Sequence, residues 1–126
     1  MFKKVTSMKK ILIVDDEPNI LMSLEFLMKK EGYEVFIARN GREAIDILNK
    51  EMPDALILDI MMPEVDGLEV CELVKSNEET QHIKVIFLTA KAKDSDIEKG
   101  YAAGADLYLN KPFATKELVK KINQIF

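Results

Sequence analysis

The sequence predicts an α/β fold: one doubly wound sheet of five parallel strands with helices on both faces. Three observations predict it. Short apolar runs recur along the chain, at Ile11–Val14, Ala55–Leu58, Val85–Leu88 and Leu107–Leu109. A run of this kind, three or four residues long and bounded by polar ones, reads as a buried strand. Segments with helical spacing separate the runs, and the alternation builds a parallel sheet. The chain has 126 residues, the size of one domain.

Taken in order, Ile11–Val14 is the first strand and runs into Asp15-Asp16-Glu17. Pro18 to Glu31 is helical, with Ile20, Leu24 and Leu27 at i, i+4, i+7 and Gly32 as its stop. Asp16 or Glu17 places negative charge near the first turn, where Pro18 is tolerated. Tyr33–Ala38 is a weaker second strand. Asn40-Gly41 opens a short helix with Ala44, Ile45 and Leu48 inward, and Pro53 closes that segment. The third strand delivers Asp59 to the turn cluster Met61 to Gly67. A helix from Leu68 to Ser76 turns Leu68 and Cys71 inward, and a polar loop from Asn77 to His82 leads to the fourth strand and Thr89. Asp94–Ala103 is a helix that Gly100 weakens by about 1 kcal/mol relative to Ala, and Gly104 stops it. The fifth strand ends at Lys111-Pro112, and Thr115–Phe126 is the last helix, with Leu118, Ile122 and Ile125 as its seam. For five such units the flavodoxin-like strand order 2-1-3-4-5 is expected.

Composition narrows the function classes. Net charge is −4 and pI about 5.1, so direct nucleic-acid binding by this chain is not expected. The single cysteine, Cys71, forms no intrachain disulfide, which fits a cytoplasmic location. No apolar run approaches the roughly 18–20 residues that span a bilayer, so no membrane association is expected. Residues 1–7 lack a signal-peptide core and read as an N-terminal extension, a cloning remnant or an upstream start before Met8. The domain is expected to occupy residues 8–126.

The chemistry follows from the strand ends. Ligands in open α/β sheets bind beyond the carboxyl ends of the strands. Asp15, Asp16, Asp59, Thr89 and Lys111 all fall there. Crowded carboxylates repel one another unless a cation joins them. Mg2+ suits such a site, with oxygen ligands and phosphate oxygens completing its octahedron. Lys111 supplies a point charge for phosphate and Thr89 a hydroxyl donor. Together with a metal they would clamp a transferring phosphoryl group. A carboxylate can accept that group as an aspartyl phosphate, and Asp59, on the central strand, is the best placed. Each residue alone has a plainer reading: a helix cap for Asp15 or Asp16, a strand-end hydroxyl for Thr89, a solvated lysine for Lys111. The joint placement at four strand ends outweighs these.

These residues resemble a response regulator receiver domain. The resemblance runs from Met8 to Phe126. It rests on Ile11-Leu12-Ile13-Val14-Asp15-Asp16-Glu17, on Leu58-Asp59-Ile60-Met61-Met62-Pro63 with Asp66-Gly67, on Leu88-Thr89-Ala90, and on Gly104-Ala105-Asp106 leading to Lys111-Pro112-Phe113. It implies that Asp59 takes a phosphoryl group from the phosphohistidine of a histidine kinase or phosphotransfer protein. It implies Mg2+ (with Mn2+ able to substitute) on Asp16, Asp59 and the backbone carbonyl of Met61, with Asp15 acting through a metal-bound water. Thr89 and Lys111 would contact the phosphoryl oxygens, and the Lys111–Pro112 bond would be cis. Thr89 and Tyr108 would form the switch that alters the surface of the fourth helix, fifth strand and fifth helix toward a downstream effector, with Gly100 making that surface pliable. The protein would be no enzyme on a separate substrate, although it takes part in its own phosphotransfer and autodephosphorylation.

Met61 and Lys91 occupy positions that in relatives flank the hydrolytic water, so a long-lived phosphoryl group is expected. Lys93, Asp106, Glu117 and Lys121 fall where a charged dimer face is found in some relatives, while Ile97, Ala102 and Leu107 replace other charges of it. A monomer or a phosphorylation-dependent dimer is expected. The alternative is a degenerate receiver that binds partners without phosphorylation. An aspartyl phosphatase would need Asp-x-Asp after the first strand, and a flavin carrier a Ser/Thr/Gly-rich phosphate loop there; Asp15-Asp16-Glu17-Pro18 fits neither.

Overall fold

A computed structural model describes residues 8–60, 66–90 and 94–126. Five strands alternate with five helices: β1 (Lys10–Val14), α1 (Pro18–Lys30), β2 (Glu34–Ala38), α2 (Gly41–Glu51), β3 (Ala55–Leu58), α3 (Gly67–Ser76), β4 (Lys84–Ala90), α4 (Asp94–Ala102), β5 (Leu107–Lys111) and α5 (Thr115–Gln124). The strands are parallel and ordered β2-β1-β3-β4-β5, as expected. β4 is longer than its apolar run, so Thr89 lies inside the strand, opposite Asn110.

Alternation along each strand divides the core between the two faces of the sheet. Leu12, Val14, Leu56, Leu58, Val85 and Phe87 face α2 and α3. Ile11, Ile13, Ala55, Ile57, Ile86 and Leu88 face α1 and α5. Fully burying one such side chain contributes roughly 1.5–3 kcal/mol, and these strands bury all of theirs. α1 seats Leu21, Leu24 and Met28 at the centre of its face, with Ile20 and Leu27 only partly buried. The seam is rotated from the one expected because α1 is apolar over a broad arc.

Caps set where the helices begin. Asn40 Oδ1 accepts from the Glu43 amide at 2.9 Å, and Glu43 Oε1 accepts from the Arg39 amide at 2.9 Å. The first bond satisfies an amide that the first turn of α2 leaves open, and the second ties down the chain just ahead of the cap. Asp66 Oδ1 accepts from the Glu69 amide at 3.0 Å and caps α3. No helix among the described residues is long and apolar enough to cross a membrane.

Candidate phosphoryl and metal site

The sheet ladder itself positions the acids. The Asp15 amide donates to the Ala38 carbonyl at 3.2 Å and the Asp59 amide to the Val14 carbonyl at 3.1 Å. Both residues are thus held one step past their strands in the frame of the sheet. Gly67 closes the site from below, because its amide donates to the Ile60 carbonyl at 3.0 Å. A Cβ at Gly67 would lie 2.3 Å from the Asp59 carbonyl oxygen and 2.8 Å from the Ile60 Cα. Only glycine lets α3 begin so close to the backbone of Asp59.

Asp15, Asp59 and Thr89 are buried, while Asp16 is exposed at the mouth. Lys111 reaches over them from the end of β5. Its Nζ lies 2.7 Å from Asp15 Oδ2, 3.2 Å from Glu17 Oε1 and 3.3 Å from Asp59 Oδ2. The Lys111, Asp15 and Asp59 side chains are only 8%, 3% and 7% exposed. Burial alone would lower the Lys111 pKa, but the hydrogen bond it donates to Asp15, the charges of Asp59 and Asp15, and its bond to Glu17 outweigh this and hold the ammonium charged well above the ordinary range. Burial raises the Asp15 carboxyl above 3.8, against the lowering effect of Lys111 and of the Glu17 amide.

One ammonium therefore faces several acids. One carboxylate oxygen from each of Asp15, Asp16, Glu17 and Asp59 can be chosen so that the four lie within 4.8 Å of one another. All the donors are hard oxygens, and two of the acids are buried, which fits a divalent cation such as Mg2+. Asp15, Asp16 and Asp59 are brought together as the sequence implied. The Met61 carbonyl lies outside the described residues, as do Lys91 and Lys93. The Lys111–Pro112 bond is cis, as expected.

Register links the site to α4. Phe87 pairs with Tyr108 and Thr89 with Asn110. Thr89, two residues beyond Phe87, lies on the same face of β4. The Phe87 and Tyr108 rings are 5.8 Å apart, and Tyr101 of α4 lies 6.2 Å from Tyr108. Gly100 is buried, and a Cβ there would meet the Tyr108 and Phe87 rings at 3.1 and 3.2 Å. The glycine allows α4 to pack directly on the rings, a role distinct from the pliability expected of it.

Three features escaped the sequence reading. Glu17 does not cap α1 with its side chain, which turns to Lys111 instead. Gly67 looked like an ordinary turn residue. Asp106, which falls where a charged dimer face lies in some relatives, also has an intrachain role: its carboxylate accepts from Lys75 Nζ at 3.0 Å and from the Val85 amide at 2.8 Å, at the opposite edge of the sheet. Glu117 and Lys121 pair with each other along α5 at 3.2 Å.

The family model of the response regulator receiver domain matches residues 11–123. The chemotaxis protein CheY4 of Vibrio cholerae is 31% identical, with a TM-score of 0.90 over 95% of this chain and 100% of that one. A CheY-like response regulator receiver domain protein of Methanospirillum hungatei JF-1 is 34% identical, with a TM-score of 0.89 over 94% of each chain. The signal receiver domain of a signal transduction histidine kinase from Syntrophus aciditrophicus is 33% identical, with a TM-score of 0.86 over 93% of this chain and 89% of that one. With the fold, the acidic cluster and the reach of Lys111 already in place, these likenesses establish that the chain belongs to the response regulator receiver domains of two-component signalling.

Proposed function

We propose that Asp59 is the phosphoacceptor of a phosphorelay that runs in the cytoplasm. The observation that carries this reading is the buried Asp59 carboxylate, 3.3 Å from Lys111 Nζ and inside the acidic cluster. An Asp59 oxygen attacks the phosphorus of a partner's phosphohistidine. The O–P bond forms as the P–N bond breaks, and the imidazole leaves. Bound Mg2+, held by Asp15, Asp16 and Asp59, would neutralise charge on the phosphoryl oxygens. Asp15 keeps the Lys111 ammonium beside Asp59, where it can take a phosphoryl oxygen.

Thr89 offers its hydroxyl to another phosphoryl oxygen, and its shift makes room for the Tyr108 ring on the same face. That movement reaches α4 through Gly100 and reaches the groove of about 270 Å3 lined by Tyr108, Asn110, Phe113, Glu117 and Lys121. A downstream effector would read this surface. The chain is a switch without a separate substrate, and loss of the phosphoryl group by hydrolysis resets it.

Incubation with acetyl phosphate and Mg2+, followed by intact mass measurement, tests the reading. A gain of one phosphoryl group is expected, and its absence in Asp59→Asn. No gain with any donor would leave only phosphorylation-independent partner binding.

A further inference from the structure

Glu17 has a backbone role and a side-chain role that do not coincide. Its carbonyl accepts from the Ile20 and Leu21 amides, both at 3.1 Å, and its amide donates to Asp15 Oδ1 at 2.9 Å. The backbone is thereby fixed at the start of α1, ahead of Pro18. The side chain makes no cap hydrogen bond. It crosses the rim to Lys111, 94 residues away in the chain.

A lysine ammonium has three N–H groups, and here it has three carboxylate neighbours, Asp15, Glu17 and Asp59. A phosphoryl oxygen that takes Lys111 while the Asp59 carboxyl keeps its own contact must replace Asp15 or Glu17. Asp59 carries the group. Asp15 is buried and anchored by the Glu17 amide. The Glu17 side chain is 59% exposed and returns to water at little cost. Its charge also repels the incoming anion.

We propose that Glu17 is a placeholder for the phosphoryl group: it holds Lys111 in the unloaded site and must release it on loading, so it lowers the site's affinity for that group. This positioning role rests on the phosphoacceptor reading above. In the family resemblance the acids that hold the metal are Asp15, Asp16 and Asp59, and Glu17 has no assigned part.

The test uses the full chain with beryllofluoride as the phosphoryl probe, at Mg2+ saturation fixed separately for each protein by calorimetric titration. Glu17→Gln and Glu17→Ala should bind beryllofluoride about 2–5-fold more tightly than wild type, the size of one exposed charge interaction. Their Mg2+ affinity should stay level or weaken, because an anion has been removed. This opposite movement is what a merely structural loss would not give, since damage weakens both. Glu78→Gln, an exposed charge far from the site, should match wild type. Wild type that binds beryllofluoride while neither Glu17 variant binds it more tightly overturns the placeholder and leaves the phosphoacceptor reading standing. Wild type that binds no beryllofluoride overturns both.

Discussion

The two edges of the sheet handle buried charge in opposite ways. At the amino edge, Lys75 Nζ donates to the Gln81 carbonyl at 3.1 Å, the Ile83 carbonyl at 2.7 Å and Asp106 Oδ2 at 3.0 Å. The Lys10 amide donates to Asp54 Oδ2 at 2.7 Å, and Lys10 Nζ donates to the Glu51 carbonyl at 3.2 Å. These charges are tied to backbone, and Lys75 and Lys10 each have an acid beside them, Asp106 and Glu51. At the carboxyl edge, among the described residues, acids face one another around Lys111. The first edge is satisfied without any visitor. Among the described residues the second carries more acid than base, and that imbalance suits it to hold a cation.

Substitutions can break this contrast at either edge. Gly67→Ala should have the largest effect, because its Cβ meets backbone and no flexible side chain can yield. A loss of about 3 kcal/mol in urea unfolding is expected, together with loss of phosphoryl uptake, because the Asp59 backbone must move. Lys75→Met should cost about 2 kcal/mol by removing charge-assisted hydrogen bonds at the amino edge. It should leave beryllofluoride affinity within about twofold of wild type, because exposed charges a strand's length apart are largely screened. A large loss of affinity would erase the distinction between the edges.

Asp15→Asn should have the smallest effect on stability, and of opposite sign. The Asp15 carboxyl is raised above 3.8 in the fold. The folded chain therefore holds that proton more tightly than the unfolded chain does. As pH rises from 3.8 through the raised value, this group removes stability. Without metal, at neutral pH, Asp15→Asn should unfold at a higher urea concentration than wild type. Added Mg2+ should stabilise wild type more than the variant, since it binds the folded site. A variant less stable than wild type without metal would show that the Lys111 bond outweighs the cost of burial.

The carboxyl edge was more legible in sequence than the amino edge. β1, β3 and β4 are apolar on both faces, so each announced itself without any need for periodicity, and the strand-end rule then collected Asp15, Asp59, Thr89 and Lys111. Lys75 and Asp106 are 31 residues apart and look like surface charges until α3 and β5 are docked. The meaning of Gly67 depends on a chain that folds back onto Asp59, which no local pattern records. Glu17 misled because a glutamate beside a helix start has a ready local explanation, and its side-chain direction is decided by a lysine at the far end of the fold.

Gly100 leaves no slack between α4 and the ring beneath it. A side chain at that position would be a spring, with rotamers to absorb a displacement of Tyr108 before the helix felt it. Bare backbone against an aromatic edge, 3.1 Å from where a Cβ would stand, has nothing to compress. A tilt of the ring driven by the proposed switch would pass to the helix with no side chain between them to absorb it.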